Sequence, residues 1–378
     1  MSLEFDYYSL GDLVKIKYGK NQKKVQDDEN GQYPIFGTGG LMGYSIEYLY
    51  DKPSVLIGRK GSIEKVRYIE EPFWTVDTLF YTEVDEKIVI PKFLYYVMSL
   101  IDLSRYNEGT SIPSLRTETL NRLDLPIPDL GYQNRVLSIL SKIDKKIEIN
   151  EKINKNLFNI IDVIFKSYVG DFEGLDVVVL SENTHEIIRG FNSKYVDESN
   201  LINFNQKVNK GTFLEKQHFK YLNEEIEVPK EKFAKKRDVL LNSLGQGTLG
   251  RPHYYNEDTD NVVVDQHITI IRANEDLIPS TYIYEYLKSS AGQFHLDSLI
   301  SGSTGMLMLN ISEVRNLKIP ILDKDKLKEF DLTVTPLFDK ITKNFDEIEI
   351  LSKLRDTLLP KLMSGEIDVP KINCELDL

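Results

Sequence analysis

Cysteine is almost absent from this chain of 378 residues. The single cysteine, Cys374, cannot form an internal disulfide, and one thiol cannot build a cysteine-based zinc site. Histidine is also scarce, since the five histidines are scattered and none has the paired spacing of a metal-binding helix. These absences exclude both kinds of cysteine-based site and predict a reducing, cytoplasmic location.

Long apolar runs are missing as well. No stretch approaches about 18 consecutive apolar residues, and the N-terminus MSLEFDYYSL lacks a basic region followed by an apolar core. The sequence therefore predicts no transmembrane helix, no signal peptide and no membrane partner. With 41% hydrophobic and 28% charged residues, the composition is that of a soluble globular protein with two to three domains.

Motifs of nucleotide and methyl-transfer chemistry are not found. The chain has no Asn-Pro-Pro-aromatic signature and no Walker A loop, and Met42 replaces the last glycine of a dinucleotide-binding pattern that begins at Gly37. Asp77 and Asp265 sit at matching strand positions, where we expect structural hydrogen bonds rather than catalysis. The sequence therefore predicts a chain that is not an enzyme and holds no metal or cofactor itself.

An internal repeat is the main positive feature. The phrases LNRLDLPIP at 120–128 and VRNLKIPIL at 314–322 align at a shift of 194 positions (317 − 123). After each phrase, at 132–168 and 326–362, seven of nine heptad seam positions are apolar. Such stripes predict two coiled-coil helices, each about 50 Å long, which pair with each other in antiparallel orientation.

Polar and helix-breaking residues mark particular points in these helices. Asn150 and Asn344 occupy equivalent seam positions, so they either face each other and fix the register of the helix pair or point to solvent. Pro336 predicts a kink, a break or a new helix start. Gly170 and Gly365 predict the two C-terminal ends.

The repeat continues upstream as landmarks separated by loops of unequal length. SVLI at 54–57 aligns with DVLL at 238–241 at a shift of 184, and TVD at 75–77 aligns with VVD at 263–265 at a shift of 188. The sequence therefore predicts an α+β fold with two tandem units of mixed strands and short helices, each followed by a long helix. The predicted boundaries are 1–130 and 171–322 for the two strand-rich domains, 131–170 for the first long helix, and 323–378 for the second helix with the tail.

Several motifs resemble one family over essentially the whole chain. They are GQYPIFGTGGLMGYSIEYL (31–49), SVLIGRKGSIEKV (54–66), WTVDTLFY (74–81), DVLLNSLGQGTLG (238–250) and LRDTLLPKLMSGEI (354–367). Together with the heptads, they resemble the specificity subunit of type I restriction–modification systems.

The resemblance implies a division of labour. Each strand-rich unit would be a target-recognition domain that reads one half of an asymmetric bipartite site in double-stranded DNA. The helix pair would set the half-site spacing and dock two methyltransferase subunits, and restriction/translocase subunits would join the complex. S-adenosylmethionine, ATP and Mg²⁺ would bind to those partner subunits.

Candidate DNA contacts are polar and basic side chains on loops that follow apolar strands. Arg, Lys, Asn and Gln can bond base edges, and cations can bond phosphates. The net charge of −12 argues only weakly against this, because DNA responds to the field within about 8–10 Å. The candidates are Lys20, Asn21, Gln22, Lys23, Lys24, Thr38, Tyr44, Arg59, Lys60 and Ser62 in the first unit, and Arg189, Asn192, Ser193, Lys194, Gln246, Thr248 and Arg251 in the second, with His253 and Tyr254 as weaker ones.

Two other interpretations stay open at this stage. The chain could be a coiled-coil protein-interaction scaffold without sequence-specific DNA binding, or an enzyme whose nuclease or methyltransferase site lacks a familiar motif. The scaffold predicts no specific DNA binding with partner subunits present. The enzyme predicts activity from the isolated chain.

Overall fold

The computed structural model describes residues 5–192, 194–245, 247–302, 307–367 and 369. The chain divides into two compact units. Unit 1 comprises Met1–Ile147 and Glu349–Leu378, and unit 2 comprises Glu148–Ile348. Each unit contains mixed sheets, short helices and segments of both long helices.

Unit 1 is built around a four-stranded antiparallel sheet in the order β2-β8-β5-β6. A three-stranded sheet in the order β4-β3-β7, in which β3 and β7 are parallel, and the pair β1-β9 complete its strands. The elements are β1 (Phe5–Ser9), α1 (Leu10–Leu13), β2 (Val14–Tyr18), β3 (Tyr33–Gly37), β4 (Gly40–Ser45), β5 (Ser54–Gly58), β6 (Val66–Ile69), β7 (Trp74–Thr75), β8 (Leu79–Val84), α2 (Pro91–Ser99), α3 (Thr117–Asn121) and β9 (Asp124–Pro128), followed by the long helix α4 (Leu130–Val169).

The core of unit 1 lies between the four-stranded sheet and its helices. The central strand β5, SVLIG, is buried along its whole length, as expected for an apolar run between two strands. Helix α2 begins with Pro91, whose fixed φ suits the first helical position, and it buries Phe93 and Leu94 against the sheet. Leu140 of the long helix belongs to the same core.

Unit 2 repeats this plan with a four-stranded antiparallel sheet in the order β11-β18-β15-β16. A second sheet has the order β12-β14-β13-β17, with β13 and β17 parallel, and β10-β21 and β19-β20 form pairs. The elements are β10 (Asp176–Val179), β11 (Thr184–Arg189), β12 (Tyr195–Val196), β13 (Ile202–Phe204), β14 (Lys220–Leu222), β15 (Asp238–Asn242), β16 (Pro252–Tyr255), β17 (Val262–Val264), β18 (Ile268–Ala273), α5 (Ser280–Lys288), α6 (Ser290–Ser298), β19 (Ile300–Ser301), β20 (Met308–Leu309), α7 (Ile311–Arg315), β21 (Lys318–Ile321) and α8 (Lys324–Met363).

The two long helices pack together in antiparallel orientation, as predicted. Within unit 2, the rings of Phe165 and Phe330 lie 5.8 Å apart, and the side chains of Asn154 and Asn344 share a hydrogen bond. Residue numbers thus rise along α4 as they fall along α8. Seam residues such as Ile161, Phe330 and Val334 are buried because each helix supplies the partner that a lone helix of this length lacks.

The same orientation holds within unit 1. The Tyr132 hydroxyl, near the start of α4, donates to the Leu362 carbonyl at 2.9 Å, near the end of α8. Further in along both helices, Arg355 contacts the Asp144 carboxylate at 3.4 Å. No helix in the described part of the chain is long and apolar enough to cross a membrane.

The asparagines in the seam do not pair as predicted. Asn344 donates to Asn154 at 2.7 Å, and Asn150 instead donates to Glu347 at 2.8 Å. Asn150, Asn154 and Asn344 are all buried, so the solvent-facing alternative is also wrong. The heptad pattern identified the buried face, but the axial offset of the two helices brings each asparagine opposite a different residue.

Pro336 does not interrupt α8, which is continuous from Lys324 to Met363. The predicted break or new start is therefore wrong. Pro336 is on the exposed side, where water can satisfy the carbonyl that loses its N–H partner, and buried Val334 and Phe338 hold the helix on both sides of it. The predicted ends are confirmed, because Gly170 and Gly365 follow the helices with φ of +55° and +73°.

Candidate nucleic-acid interface

Three loops lie side by side at one end of the strands of the four-stranded sheet in unit 1. Strands β2 and β5 end there and β8 begins there, because neighbouring strands are antiparallel. We call residues 19–24, 59–65 and 74–78 the unit 1 edge. The Lys20 N–H donates to the Thr75 carbonyl at 2.8 Å, and the Arg59 N–H donates to the Thr78 carbonyl at 2.9 Å. Main-chain hydrogen bonds therefore join the three loops into one frame.

The basic loop of this edge is solvent-facing. Lys20, Lys23 and Lys24 are exposed, and none makes an ion pair with another residue in the described ranges. The Asn21 side chain accepts from the Lys23 N–H at 2.9 Å, so it shapes the turn, and Gln22 is half-buried. The structure therefore brings three of these five candidates together as free cations.

The second loop of the unit 1 edge contains a fixed cation and a free one. The Arg59 guanidinium donates to the Asp77 carbonyl at 2.7 Å and lies 5.1 Å from the centre of the Tyr18 ring. Lys60 and Ser62 are exposed. Arg59 thus presents a guanidinium of fixed orientation beside the exposed ammonium group of Lys60.

The two candidates on the β3–β4 hairpin are separated. The Thr38 hydroxyl is 3.9 Å from the position that a Cβ on Gly61 would occupy, so the hairpin turn lies beside the Arg59 loop. Tyr44 pairs with Pro34 toward the other end of β4. Thr38 therefore belongs with the unit 1 edge, whereas Tyr44 is set apart from it.

Unit 2 presents the same frame at the corresponding edge. We call residues 190–192, 243–245, 247–251 and 264–267 the unit 2 edge. The Phe191 N–H donates to the Val264 carbonyl at 2.7 Å, and the Ser243 N–H donates to the His267 carbonyl at 2.9 Å. These bonds repeat those that Lys20 and Arg59 make in unit 1.

Glycine is required at the same point of both frames. A Cβ on Gly19 would lie 2.0 Å from the Val76 carbonyl oxygen, and a Cβ on Gly190 would lie 2.2 Å from the Val264 carbonyl oxygen. Both distances are far below van der Waals contact with rigid main chain. The close approach that joins the first loop to the sheet therefore depends on the missing side chain.

Arg189 is turned toward the protein, contrary to its selection as a DNA contact. Its guanidinium donates to the Leu309 carbonyl, and its own carbonyl accepts from the Lys232 ammonium at 2.9 Å. Burial lowers the pKa of Arg189. The sequence could not show this, because Leu309 is remote along the chain.

Arg251 fastens two loops and remains partly accessible. Its guanidinium donates to the Asn209 carbonyl at 3.0 Å and to the Gly247 carbonyl at 3.3 Å. Thr248 is half-buried beside it, and Asn192 and Lys194 are exposed. The remaining candidates, Ser193 and Gln246, lie outside the described residues.

A loop that the sequence reading missed lies between β13 and β14, at residues 205–219. In unit 1 the corresponding strands β3 and β4 are joined by a short turn. The His253 ring lies 2.7 Å from the Gly211 carbonyl, and Arg251 holds the same loop. The loop exposes Lys207 and Phe213, the latter by 45%. The signal in the sequence was the Asn- and Lys-rich run NFNQKVNKGT, which resembles the basic loop after β2.

Two weaker candidates are part of the interior. His253 is 8% exposed, and Tyr254 is 5% exposed and packs against Phe338. Burial lowers the pKa of His253 to about 4. Neither side chain is available to DNA, because His253 is buried beside the Phe204 ring on one face of β16 and Tyr254 beside the Phe338 ring on the other.

The hydrogen bonds correct one alignment between the units. The Val76 N–H donates to the Phe36 carbonyl at 3.0 Å, and the Asp265 N–H donates to the Phe204 carbonyl at 2.9 Å. Asp265 therefore corresponds to Val76, at a shift of 189 rather than 188.

The corrected alignment places Asp77 opposite Gln266, so the predicted match of Asp77 with Asp265 is wrong. Asp265 makes the structural bonds expected of it, because its carboxylate accepts from the His267 N–H at 2.9 Å and the Tyr195 hydroxyl at 3.1 Å. The Asp77 carboxylate is exposed and makes no hydrogen bond within the described residues. The short match "VD" was too weak to fix the register of this turn.

Comparisons with known proteins agree with the duplicated fold. Residues 3–159 match the family described as Type I restriction modification DNA specificity domain. The chain is 26% identical to the type I restriction enzyme MjaIX specificity subunit of Methanocaldococcus jannaschii, over 98% of this chain and 95% of that protein. It is 23% identical to the HindI specificity subunit of Haemophilus influenzae, over 78% of this chain and 81% of that protein.

One solved structure has the same fold over nearly the whole chain. It is the S subunit of a type I restriction–modification system from M. genitalium, with a TM-score of 0.66 and 18% identity over 96% of each chain. At this identity the likeness concerns the fold alone. The predicted α+β class with two strand-rich units and paired long helices is confirmed, and so is the resemblance to specificity subunits.

Proposed function

We propose, on the premise that residues 3–159 belong to the type I restriction modification DNA specificity domain family, that this chain is a DNA sequence-recognition subunit. Each unit would read one half of an asymmetric bipartite site in double-stranded DNA. The chain would be non-catalytic, with S-adenosylmethionine, ATP and Mg²⁺ bound by its methyltransferase and restriction/translocase partners. In the described residues, no cluster of three or more His, Cys, Asp or Glu is arranged to hold a metal ion.

The observation that carries the proposal is a repeated main-chain frame with different exposed side chains. Both edges keep the glycine contact and the loop-joining hydrogen bonds, whereas Arg59 and Lys60 of unit 1 correspond to Ser243 and Leu244 of unit 2. Main-chain hydrogen bonds make the loops rigid, and side chains held on rigid loops can distinguish base edges. A repeated frame with changed side chains suits two unlike half-sites.

Local charge supports binding of DNA at the unit 1 edge despite the net charge of −12. Lys20, Lys23, Lys24 and Lys60 are exposed on adjoining loops. Phosphates respond to cations within about a Debye length of ~8–10 Å, so a cluster of this kind attracts DNA even on an acidic protein.

The helix pair supports docking of methyltransferase subunits. On α4 within unit 2, Ile149, Ile153, Ile160 and Val163 are exposed at spacings that place them along one side of the helix. They lie outside the seam with α8, which is filled by Ile161, Phe165 and other buried residues. An exposed apolar side of a helix suits the binding of a second protein.

The other long helix has a similar exposed apolar surface. On α8 within unit 1, Ile350 and Leu354 are likewise exposed, and Leu354 is 194 positions after Ile160. Two copies of one methyltransferase subunit would fit this repetition.

Methylation mapping tests the proposal. The chain is co-expressed with the methyltransferase subunit of the proposed complex in a host without other modification systems, and the methylated positions are sequenced. We expect one bipartite, asymmetric motif that is absent when the methyltransferase subunit is expressed alone. Absence of a motif with both proteins present and soluble would favour the interaction scaffold.

A further inference from the structure

We propose that Asp77 in unit 1 and Gln266 in unit 2 are equivalent base-reading residues at the centres of the two edges. This inference rests on the proposed function, because it assigns specificity within the same DNA interface. It starts from the corrected alignment, which places these two different side chains at one position of the repeated frame.

Asp77 lies on the middle one of the three segments of its edge. On one side, the Thr75 carbonyl accepts from the Lys20 N–H at 2.8 Å, which attaches the basic loop. On the other side, the Thr78 carbonyl accepts from the Arg59 N–H at 2.9 Å. The main chain on both sides of Asp77 is therefore held, and cationic loops flank the residue.

Gln266 has the same central position in unit 2. Its N–H donates to the Phe191 carbonyl at 3.1 Å, and the adjacent His267 carbonyl accepts from the Ser243 N–H at 2.9 Å. The loops after β11 and β15 thus lie on either side of it. The position is rigid in both units, which is what a side chain that discriminates bases needs.

Both side chains remain available for a ligand. The Asp77 carboxylate is exposed, the Gln266 amide is half-buried, and neither makes a hydrogen bond within the described ranges. The neighbouring carboxylate of Asp265, by contrast, is buried and bonded to Tyr195 and His267. In this turn, Asp265 therefore has a structural role, whereas the adjacent Gln266 side chain is available to a ligand.

The chemistry of the two side chains predicts different bases. A carboxylate only accepts hydrogen bonds and is repelled by phosphate, so between cations at a DNA surface Asp77 would accept from an exocyclic amino group, as cytosine presents in the major groove. The Gln266 amide both donates and accepts, which matches adenine N7 and its amino group. The two half-sites would accordingly differ at the base pair that each residue faces.

Isosteric variants of the full chain test this assignment. Asp77→Asn and Gln266→Glu are each co-expressed with the methyltransferase subunit, and the methylated motif is mapped. We expect Asp77→Asn to change base preference at one position of one half-site by about ten- to hundredfold, the range for a good side-chain–base contact, and to leave the other half-site unchanged. Gln266→Glu should change only the other half-site.

Matched controls place the same chemical changes at the opposite sheet edge. Asp85→Asn lies just beyond the other end of β8, and Asn274→Asp lies just beyond the other end of β18. Both should leave the motif unchanged, and Asp77→Gln provides a second variant if Asp77→Asn is insoluble.

The outcomes separate this inference from the function on which it rests. If the wild-type chain directs no bipartite methylation, the proposed function fails. If the wild-type motif appears and both variants retain it, the function stands and the base-reading assignment is overturned. A uniform loss of methylation with a lowered melting temperature and no changed base would assign Asp77 a structural role and would also overturn it.

Discussion

The strand-rich parts of the two units contact the long helices at equivalent points but by different chemistry. In unit 1, Asp144 of α4 accepts from the Tyr96 hydroxyl and lies near Lys92 and Arg355. The residue 194 positions later is Phe338, which in unit 2 packs its ring 4.6 Å from that of Tyr254. A polar contact in unit 1 and an aromatic contact in unit 2 therefore lie at equivalent positions of the long helices. The repeat preserves the position of the contact, but the interaction that stabilises it differs.

The sheet interiors differ in the same way. Ser54 of unit 1 donates to the Thr82 carbonyl at 2.8 Å, as a buried neutral pair. The corresponding residue of unit 2 is Asp238, whose carboxylate accepts from Arg272 at 3.0 Å, also buried. Removing one member of an ionic pair leaves a buried charge, whereas removing a hydroxyl leaves a neutral group unpaired. The two units should therefore respond very differently to equivalent damage.

The largest contrast should come from these buried pairs. Arg272→Met should destabilise unit 2 by about 3–5 kcal/mol because Asp238 loses its buried counter-charge. Ser54→Ala in unit 1, which removes the buried neutral hydroxyl, should cost about 1–2 kcal/mol. Denaturant unfolding gives the magnitude, and hydrogen exchange of β15 and β18 against β5 and β8 gives the location. Equal costs in the two units would contradict the contrast.

Substitution of the glycine at the close main-chain contact should instead destabilise the two units to a similar extent. Gly19→Ala and Gly190→Ala each force a Cβ onto main-chain oxygen, and we expect each to lower the free energy of unfolding by about 3 kcal/mol. Gly39→Ala is the control, because a Cβ there has nothing within 4 Å. Thermal unfolding of the three variants measures the effect. A mild effect of Gly19→Ala, comparable to the control, would show that the edge frame can shift.

At a third pair of equivalent positions, only the residue in unit 2, His253, should make stability depend on acid pH. His253, whose pKa burial lowers to about 4, corresponds to Arg67 in unit 1. Below the ordinary histidine pKa of 6.5, His253 is protonated in the unfolded chain, whereas in the native chain it stays neutral until about pH 4. This group therefore removes stability as the pH falls from about 6.5 to 4, by at most roughly 3 kcal/mol. His253→Asn should flatten that part of the pH–stability profile, and an unchanged slope would rule out His253 as its origin.

The smallest effect concerns DNA affinity. Lys60→Ala should lower the slope of log affinity against log salt concentration by about one unit, as for one lost phosphate contact. Leu244→Ala, at the corresponding position of unit 2, should leave that slope unchanged because no cation is removed. Fluorescence anisotropy with the methyltransferase-bound chain at several salt concentrations measures both. A base contact by Lys60 would appear instead as relaxed specificity at one position.

Much of the fold could be predicted from one sequence because it rests on local periodicity and on repetition. The shift of 184 between Ser54 and Asp238 is confirmed by the strand pairing, and Gly170 and Gly365 end the long helices as predicted. The candidate site was less accessible to prediction. Lys60 and the lysines after β2 are exposed, but Arg189 is directed inward by a carbonyl supplied 120 positions away.

The sequence by itself determined that the chain is duplicated, which helix faces are buried, and where glycine ends the long helices, because heptads and helix-terminal glycines are visible in residue type. Tertiary structure alone decided the axial offset that pairs Asn344 with Asn154 and the turn register that places Gln266, rather than Asp265, opposite Asp77. Those choices depend on hydrogen bonds between segments distant along the chain, where several alignments have similar local patterns and only the assembled frame selects one.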